Sequence, residues 1–367
     1  MARMRASLAA AAAFLLPLGS IGLVGVGVAG LFLIVSISRG FRGRPLIIVA
    51  VPAAVMAILS TVLAPSPSQG VVLSAIGMAT LYTAGLAAML AMRDLMKAER
   101  LAAAFVLGST VLALSVILDA TVHWHRIPAG LFNNADLHNW AAALLILAWP
   151  LSAHLFLAER RRWAAVPMAL LPTAVVVALS WSGTLGLIVA ALVYLAHPKA
   201  PLGAWFRVLA AAIIIAVPAG SFLALQPRLG LMGEVASSRA RIATEGLQLA
   251  KLRPLRGWGF SVDRLGPAFS REPLGTYYVD DEALAHFHDL FVQQLFENGI
   301  VGLTALALLI STLLVLQRGP IAPATVASAA GFLVAQSFDY SWHVSSILLS
   351  FFLVASLGLP RAREPAR

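Results

Sequence analysis

Apolar residues run along this chain in long blocks rather than in alternation. Blocks at about 6–37, 46–63, 70–91, 101–118, 138–158, 164–180, 183–196, 206–225, 289–317, 321–337 and 344–359 are separated by polar connections. Apolar runs of about 18 or more residues, folded as helix, satisfy their backbone internally and match a bilayer's thickness. The pattern predicts an all-α fold, a polytopic transmembrane helical bundle. Its first block is too long for one span, and Pro17 with Gly19 offers a break. A hairpin there gives about twelve spans, a single helix eleven. Chain 1–367 reads as one integral membrane domain, and the loop at 226–288 is its only long insert.

The connections alternate in charge. Arg39, Arg42 and Arg44 form one basic group, Arg93, Lys97 and Arg100 a second, and Arg160, Arg161 and Arg162 a third. Lys199 with Arg207, then Arg318, then Arg361, Arg363 and Arg367 continue the series. Between them, 64–69, 180–183 and 338–343 carry no basic residue, and 119–137 has only Arg126. Short Lys/Arg-rich loops stay cytoplasmic. The basic set is therefore expected inside, and the 226–288 loop on the outer face of the membrane.

Composition agrees: 60% of residues are hydrophobic and 11% charged, against about 25% charged in soluble domains. The net charge of +10 lies in short clusters between apolar runs, which argues against a nucleic-acid partner. With no cysteine, thiol chemistry is excluded. A cleaved signal peptide over Arg3 to Ser20 is disfavoured, because apolar sequence continues past Ser20.

An insert of about sixty residues is long for a helix–helix connection, and such loops tend to carry function. Within it the spacing predicts a helix capped by Ser237 or Ser238 and stopped by Pro254, with Ile242, Leu247, Leu249 and Leu252 as a partial apolar stripe. Arg239 and Arg241 fall in its first turn; Lys251, Arg253 and Arg256 lie at its end. Two readings stand: an interfacial helix touching lipid phosphates, or arginines clamping a pyrophosphate by bidentate hydrogen bonds. Gly257-Trp258-Gly259-Phe260 neither follows a strand nor opens a helix, so a nucleotide loop is not expected.

At the loop's far lip stands Ala285-His286-Phe287-His288-Asp289, running into an apolar helix. Histidine accepts a proton near neutral pH, so a catalytic base is one reading. Interfacial residues at a helix start, with Asp289 on the favourable end of the dipole, are another. A metal pair is weak, because residues two apart do not share a helix face. Asp280, Asp281 and Glu282 read as a solvated segment, although an aspartate working with His288 stays open. His123, His125 and His138 read as interfacial anchors or as an acceptor entrance. Asp339 and His343, in the last outer loop, are candidates to hydrogen-bond near the site.

Taken together these segments resemble the O-antigen ligase and polymerase superfamily. His288-Asp289, nine residues, then Gly299-Ile300-Val301-Gly302 resembles its histidine-to-GxxG signature. Ser238-Arg239, placed fifteen residues from Arg239 to Pro254 ahead of Pro254-Leu255-Arg256-Gly257-Trp258-Gly259-Phe260, is similar to its "SGR…PLLGxGxGxF" block. Phe132 to Ala141 is similar to its asparagine-rich helix start, and Ser180-Trp181-Ser182-Gly183 occupies the place of an "SRG" element. The likeness covers roughly 120–310.

The resemblance implies a lipopolysaccharide-biosynthesis glycosyltransferase of the cell envelope. It would move a glycan from undecaprenyl pyrophosphate to lipid A core or a related acceptor, without a cofactor or metal and with inversion. His288 would be the base and Arg239 the pyrophosphate contact, with Arg241 and Arg256 as candidates for a second. Asp289 and His286 would support. Two positions depart from the pattern: Asp289 replaces the usual Asn, Ser or Gln, and the "SRG" arginine is missing. A surface-polysaccharide polymerase shares everything but the acceptor. A transporter or flippase of a lipid-linked anion would instead call for ionisable residues inside the spans.

Overall fold

The computed structural model describes residues 2–18, 27, 44–64, 69–122, 130–132, 137–199, 229–259 and 287–360. These residues are helical or in turns, with no strand among them. In chain order the helices are α1 (Ala2–Leu15), α2 (Arg44–Val62), α3 (Gln69–Thr80), α4 (Leu86–Leu95), α5 (Ala98–Val122), α6 (His138–Leu157), α7 (Ala165–Val177), α8 (Trp181–Ala196), α9 (Leu229–Leu252), α10 (Leu290–Val315), α11 (Ala322–Gln336) and α12 (Ser345–Leu357). A π-helical turn, Leu81–Gly85, joins α3 to α4 and makes them one rod.

Four segments are long and apolar enough to cross a membrane: Val72–Leu95, Ala98–Val122, His138–Leu157 and Leu290–Val315. The protein is thus all-helical with membrane-crossing helices. α7, α8, α11 and α12 are shorter, at 13, 16, 15 and 13 residues. At about 1.5 Å per residue they fall short of a roughly 30 Å hydrocarbon core. The physical reason is visible in α12, which is buried along almost its whole length. Surrounded by other helices rather than by lipid, it has no bilayer thickness to match.

α6 occupies the middle of the bundle, buried from Ala141 through Leu155 except at Trp149. Small residues set the closest approach. Gly186 of α8 and Gly331 of α11 face each other, and a Cβ on either would lie within 2.6 Å of the other's carbonyl oxygen. Small residues let helix backbones meet where dispersion has to hold them together. At the opposite end of the sequence, α1 stops at Leu15 and turns over Leu16–Leu18, beside the expected break at Pro17. The remainder of that first block lies outside the described residues, apart from residue 27, as does the run at 206–225.

The loop helix differs from expectation at its start. α9 begins at Leu229, so Ser237 and Ser238 fall inside it rather than at its start, and Arg239 and Arg241 sit mid-helix. The preceding Leu-Met-Gly-Glu-Val-Ala sequence is mostly good helix formers, which carries the helix upstream of the serines. Its end comes where Pro254 predicts. Ile242 and Leu249 are buried against Phe287, Val292 and Phe296, whereas Leu247 and Leu252 are exposed. α9 therefore spends its apolar stripe on α10.

Candidate functional site

The segment from Phe338 to His343 organises the site. It joins α11 to α12 and folds back into the bundle: Trp342 and Ser341 are fully buried, and Asp339 is 5% exposed. Non-helical backbone inside a membrane protein needs internal partners. Gln336 supplies them, accepting the Ser341 N–H on Oε1 at 3.0 Å and donating Nε2 to the Ser341 hydroxyl at 2.7 Å. Trp342 donates its indole N–H to the Tyr82 hydroxyl at 3.0 Å and packs between Phe332 and Phe351.

Three distant segments meet on this loop. His288 places Nδ1 3.5 Å from Asp339 Oδ1, with the imidazole 25% exposed. Arg239 of α9 donates to the Phe338 carbonyl at 2.9 Å. Trp140, at the start of α6, meets His343 edge-on at 5.6 Å, and Tyr340 stacks on the other side at 4.9 Å. Burial lowers the His343 pKa against a smaller opposing effect of Asp339, and burial pushes the Tyr340 phenol well above 10.

His288 adopts φ +52°, a left-handed backbone that costs a non-glycine residue roughly 1–2 kcal/mol. Asp289 explains how the chain holds that turn. Its Oδ1 accepts the N–H groups of Phe291 at 2.8 Å and Val292 at 2.9 Å, capping α10. The Phe287 N–H donates to Gln293 Oε1 at 2.9 Å, and Phe287 is buried edge-on against Phe296. Both flanks are thus fixed, and His288 is left between them. Burial raises the Asp289 carboxyl pKa against those two backbone hydrogen bonds. Asp289 faces its own helix, and the acid facing His288 is Asp339. His286 and the carboxylates at 280–282 lie outside the described residues, as do His123 and His125.

The remaining sequence candidates are spread out. Arg241 is exposed and acts on Glu245, one turn along α9, whose carboxyl is nevertheless raised by burial. Arg256 belongs to the turn at Gly299, whereas His288 precedes the start of α10. The intervening helix, 290–298, is roughly 14 Å long. That turn and Gly299 interlock through backbone: Trp258 N–H donates to Phe296 O at 2.8 Å, Gly259 N–H to Glu297 O at 2.9 Å, and Ile300 N–H to Pro254 O at 2.7 Å. Gly257 and Gly299 have φ +67° and +63°, and a Cβ at either would lie within 2.4 Å of the other segment's carbonyl oxygen. The two glycine blocks read from the sequence are therefore one joint.

The other two blocks also meet. Ser180 caps α8 through Gly183 N–H at 3.0 Å and donates its hydroxyl to Asn139 Oδ1 at 2.6 Å, with Ser182 3.3 Å away. Trp181 is largely exposed. Inside α10, Gln293 donates to Glu297 Oε1 at 2.7 Å, and Asn298 bridges Gln294 at 2.9 Å and the Ser60 hydroxyl at 2.7 Å. Glu297 lies inside the 289–317 apolar run. Two polar pairs, Gln293-Gln294 and Glu297-Asn298, one turn apart in an apolar run are the sequence signal for this network. Among the described residues no three His, Asp or Glu side chains converge as metal ligands would.

Fold and site together define a class: an all-helical protein with membrane-crossing helices, whose loop residues gather on a re-entrant segment at one end. Within that class no particular family is shown, since no protein-family model and no curated protein matches the chain.

Proposed function

We propose that this chain is an inner-membrane glycosyltransferase that transfers a glycan from undecaprenyl pyrophosphate to an acceptor hydroxyl on the periplasmic face, as the O-antigen ligases it resembles do. The observation that carries the reading is the meeting on one short loop of an imidazole, a buried carboxylate and a guanidinium: His288 on Asp339, and Arg239 on the neighbouring Phe338 carbonyl. In this reading the bundle crosses the membrane about twelve times. His288 takes the acceptor proton while Asp339 orients its ring through Nδ1, leaving Nε2 for the hydroxyl. The oxygen attacks the anomeric carbon, the glycosidic C–O bond to pyrophosphate breaks, and Arg239 neutralises the departing diphosphate, inverting the configuration. General-base help of this kind is typically worth about 10²–10⁴-fold, and a preorganised cation adds to it. Arg241 and Arg256 remain candidates for contacts further along the donor.

The experiment is transfer by purified protein from a lipid-pyrophosphate glycan. His288→Ala should abolish it with the fold intact. Arg239→Ala should raise the donor requirement and leave acceptor dependence alone. Unchanged transfer by His288→Ala removes the assignment. Lipid A core against a second lipid-linked repeat as acceptor separates ligase from polymerase.

A further inference from the structure

The turn that closes α9 onto α10 carries its own chemistry, away from His288. Lys251, Leu252, Arg253, Pro254, Leu255 and Arg256 alternate basic and apolar side chains. Leu252 is 50% exposed and Leu255 67%, so the apolar members are not packed on protein. Lys251 and Arg256 are exposed as well, and Arg253 lies 4.3 Å over the Trp258 ring. Among the described residues no ion pair to a carboxylate is shown for these three cations. Burial and the neighbouring Arg256 charge both lower the Arg253 pKa.

The position of the turn says what surrounds it. Gly259 rests on the outer end of α2, where an added Cβ would meet Thr61 and Ala64 at 3.0 Å. There Val62 and Leu63 are exposed, and just past the joint so are Ile300 and Val301 of α10. Exposed apolar side chains at the end of α2 and on the membrane-crossing α10 make an apolar surface suited to lipid, and the basic turn borders it. A cation next to exposed leucines at such a border is placed to hold a phosphate while the leucines enter the acyl region.

We propose that the Lys251–Trp258 turn is a lipid clamp, which binds the headgroup phosphate of an anionic phospholipid between Arg253 and Arg256 with Leu252 and Leu255 in its acyl chains. The glycine joint makes the clamp rigid, because three backbone hydrogen bonds fix the turn on α10. The clamp is defined without a donor, and it gives Arg256 a phospholipid phosphate where the transfer reading keeps it as a candidate donor contact.

Native mass spectrometry of the detergent-solubilised full chain, titrated with phosphatidylglycerol and phosphatidylcholine, tests it. Wild type should retain phosphatidylglycerol preferentially. Each surface cation contributes about 1 kcal/mol toward anionic lipid, so the Arg253→Gln/Arg256→Gln variant should lose about thirtyfold in that preference. Lys251→Gln, exposed and outside the joint, should lose about fivefold and serves if the double variant melts early. Leu255→Gln should weaken retention without a change in charge. Equal phosphatidylglycerol retention by wild type and the variants overturns the clamp. So does full displacement by inorganic phosphate with no effect of Leu255→Gln, which would make it a free-phosphate site. Binding is read without turnover, so neither result depends on whether the chain transfers glycans.

Discussion

Among the places where the described backbone enters the left-handed region, the glycine joint and His288 do so for opposite reasons. At the joint between α9 and α10, Gly257 and Gly299 take positive φ where a carbonyl oxygen of the other segment occupies the space of a side chain. At residue 288 a histidine takes φ +52° although a glycine would sit there more comfortably. The joint uses an absence of side chains to bring backbones together. The turn before α10 accepts strain in order to present one particular side chain. Strain retained at a non-glycine residue beside a buried acid is a pointer to function.

That contrast is open to direct attack. The largest effect expected is from His288→Gly, which relieves the backbone and removes the imidazole: transfer should fall by about 10²–10⁴-fold while the protein still folds. Activity on a glycan donor and a thermal melt, run together, check the split; loss of both in parallel would make 288 merely structural. Next comes Gly257→Ala, which adds a methyl 2.4 Å from the Glu297 carbonyl oxygen at positive φ. It should destabilise by about 2–4 kcal/mol, seen as an early melt whose activity loss follows unfolding.

Smaller effects refine the comparison. Asp289→Ala removes the cap that fixes the strained turn and should cost about 1 kcal/mol, with transfer retained below the new melting point. His343 gives a pH signature. Burial lowers its folded-state pKa beneath the ordinary 6.5. Folding then disfavours the protonated form, so stability is full above about pH 6.5 and is lost as pH falls through the folded-state value. His343→Phe keeps a ring against Trp140 and Tyr340 and should flatten the melting temperature over that acid range; an unchanged slope would assign the acid sensitivity elsewhere.

Parts of this site were readable as sequence because their physics is local. Pro254 lacks the N–H that would continue a helix, and α9 stops just before it. Asp289 two and three residues ahead of helix N–H groups caps them through its own side chain. The start of α9 escaped, because a serine is a cap only where a helix begins, and the residues before Ser237 continue the helix. The loop at 338–343 read as a short outer connection; its retreat into the bundle depends on Gln336 and Tyr82, the latter 260 positions away from its partner Trp342.

The sequence alone pointed to helices long and apolar enough to cross a membrane, since apolar runs of that length satisfy their backbone internally when helical. It also marked His288, Arg239 and the glycine blocks. Which acid faces His288 was decided only by tertiary structure: Asp289 is its chain neighbour but turns to its own helix, and Asp339 arrives from another loop. Whether two glycine blocks were two features or one joint was decided there too. A side chain's partners across space depend on how helices pack, and no local spacing encodes that.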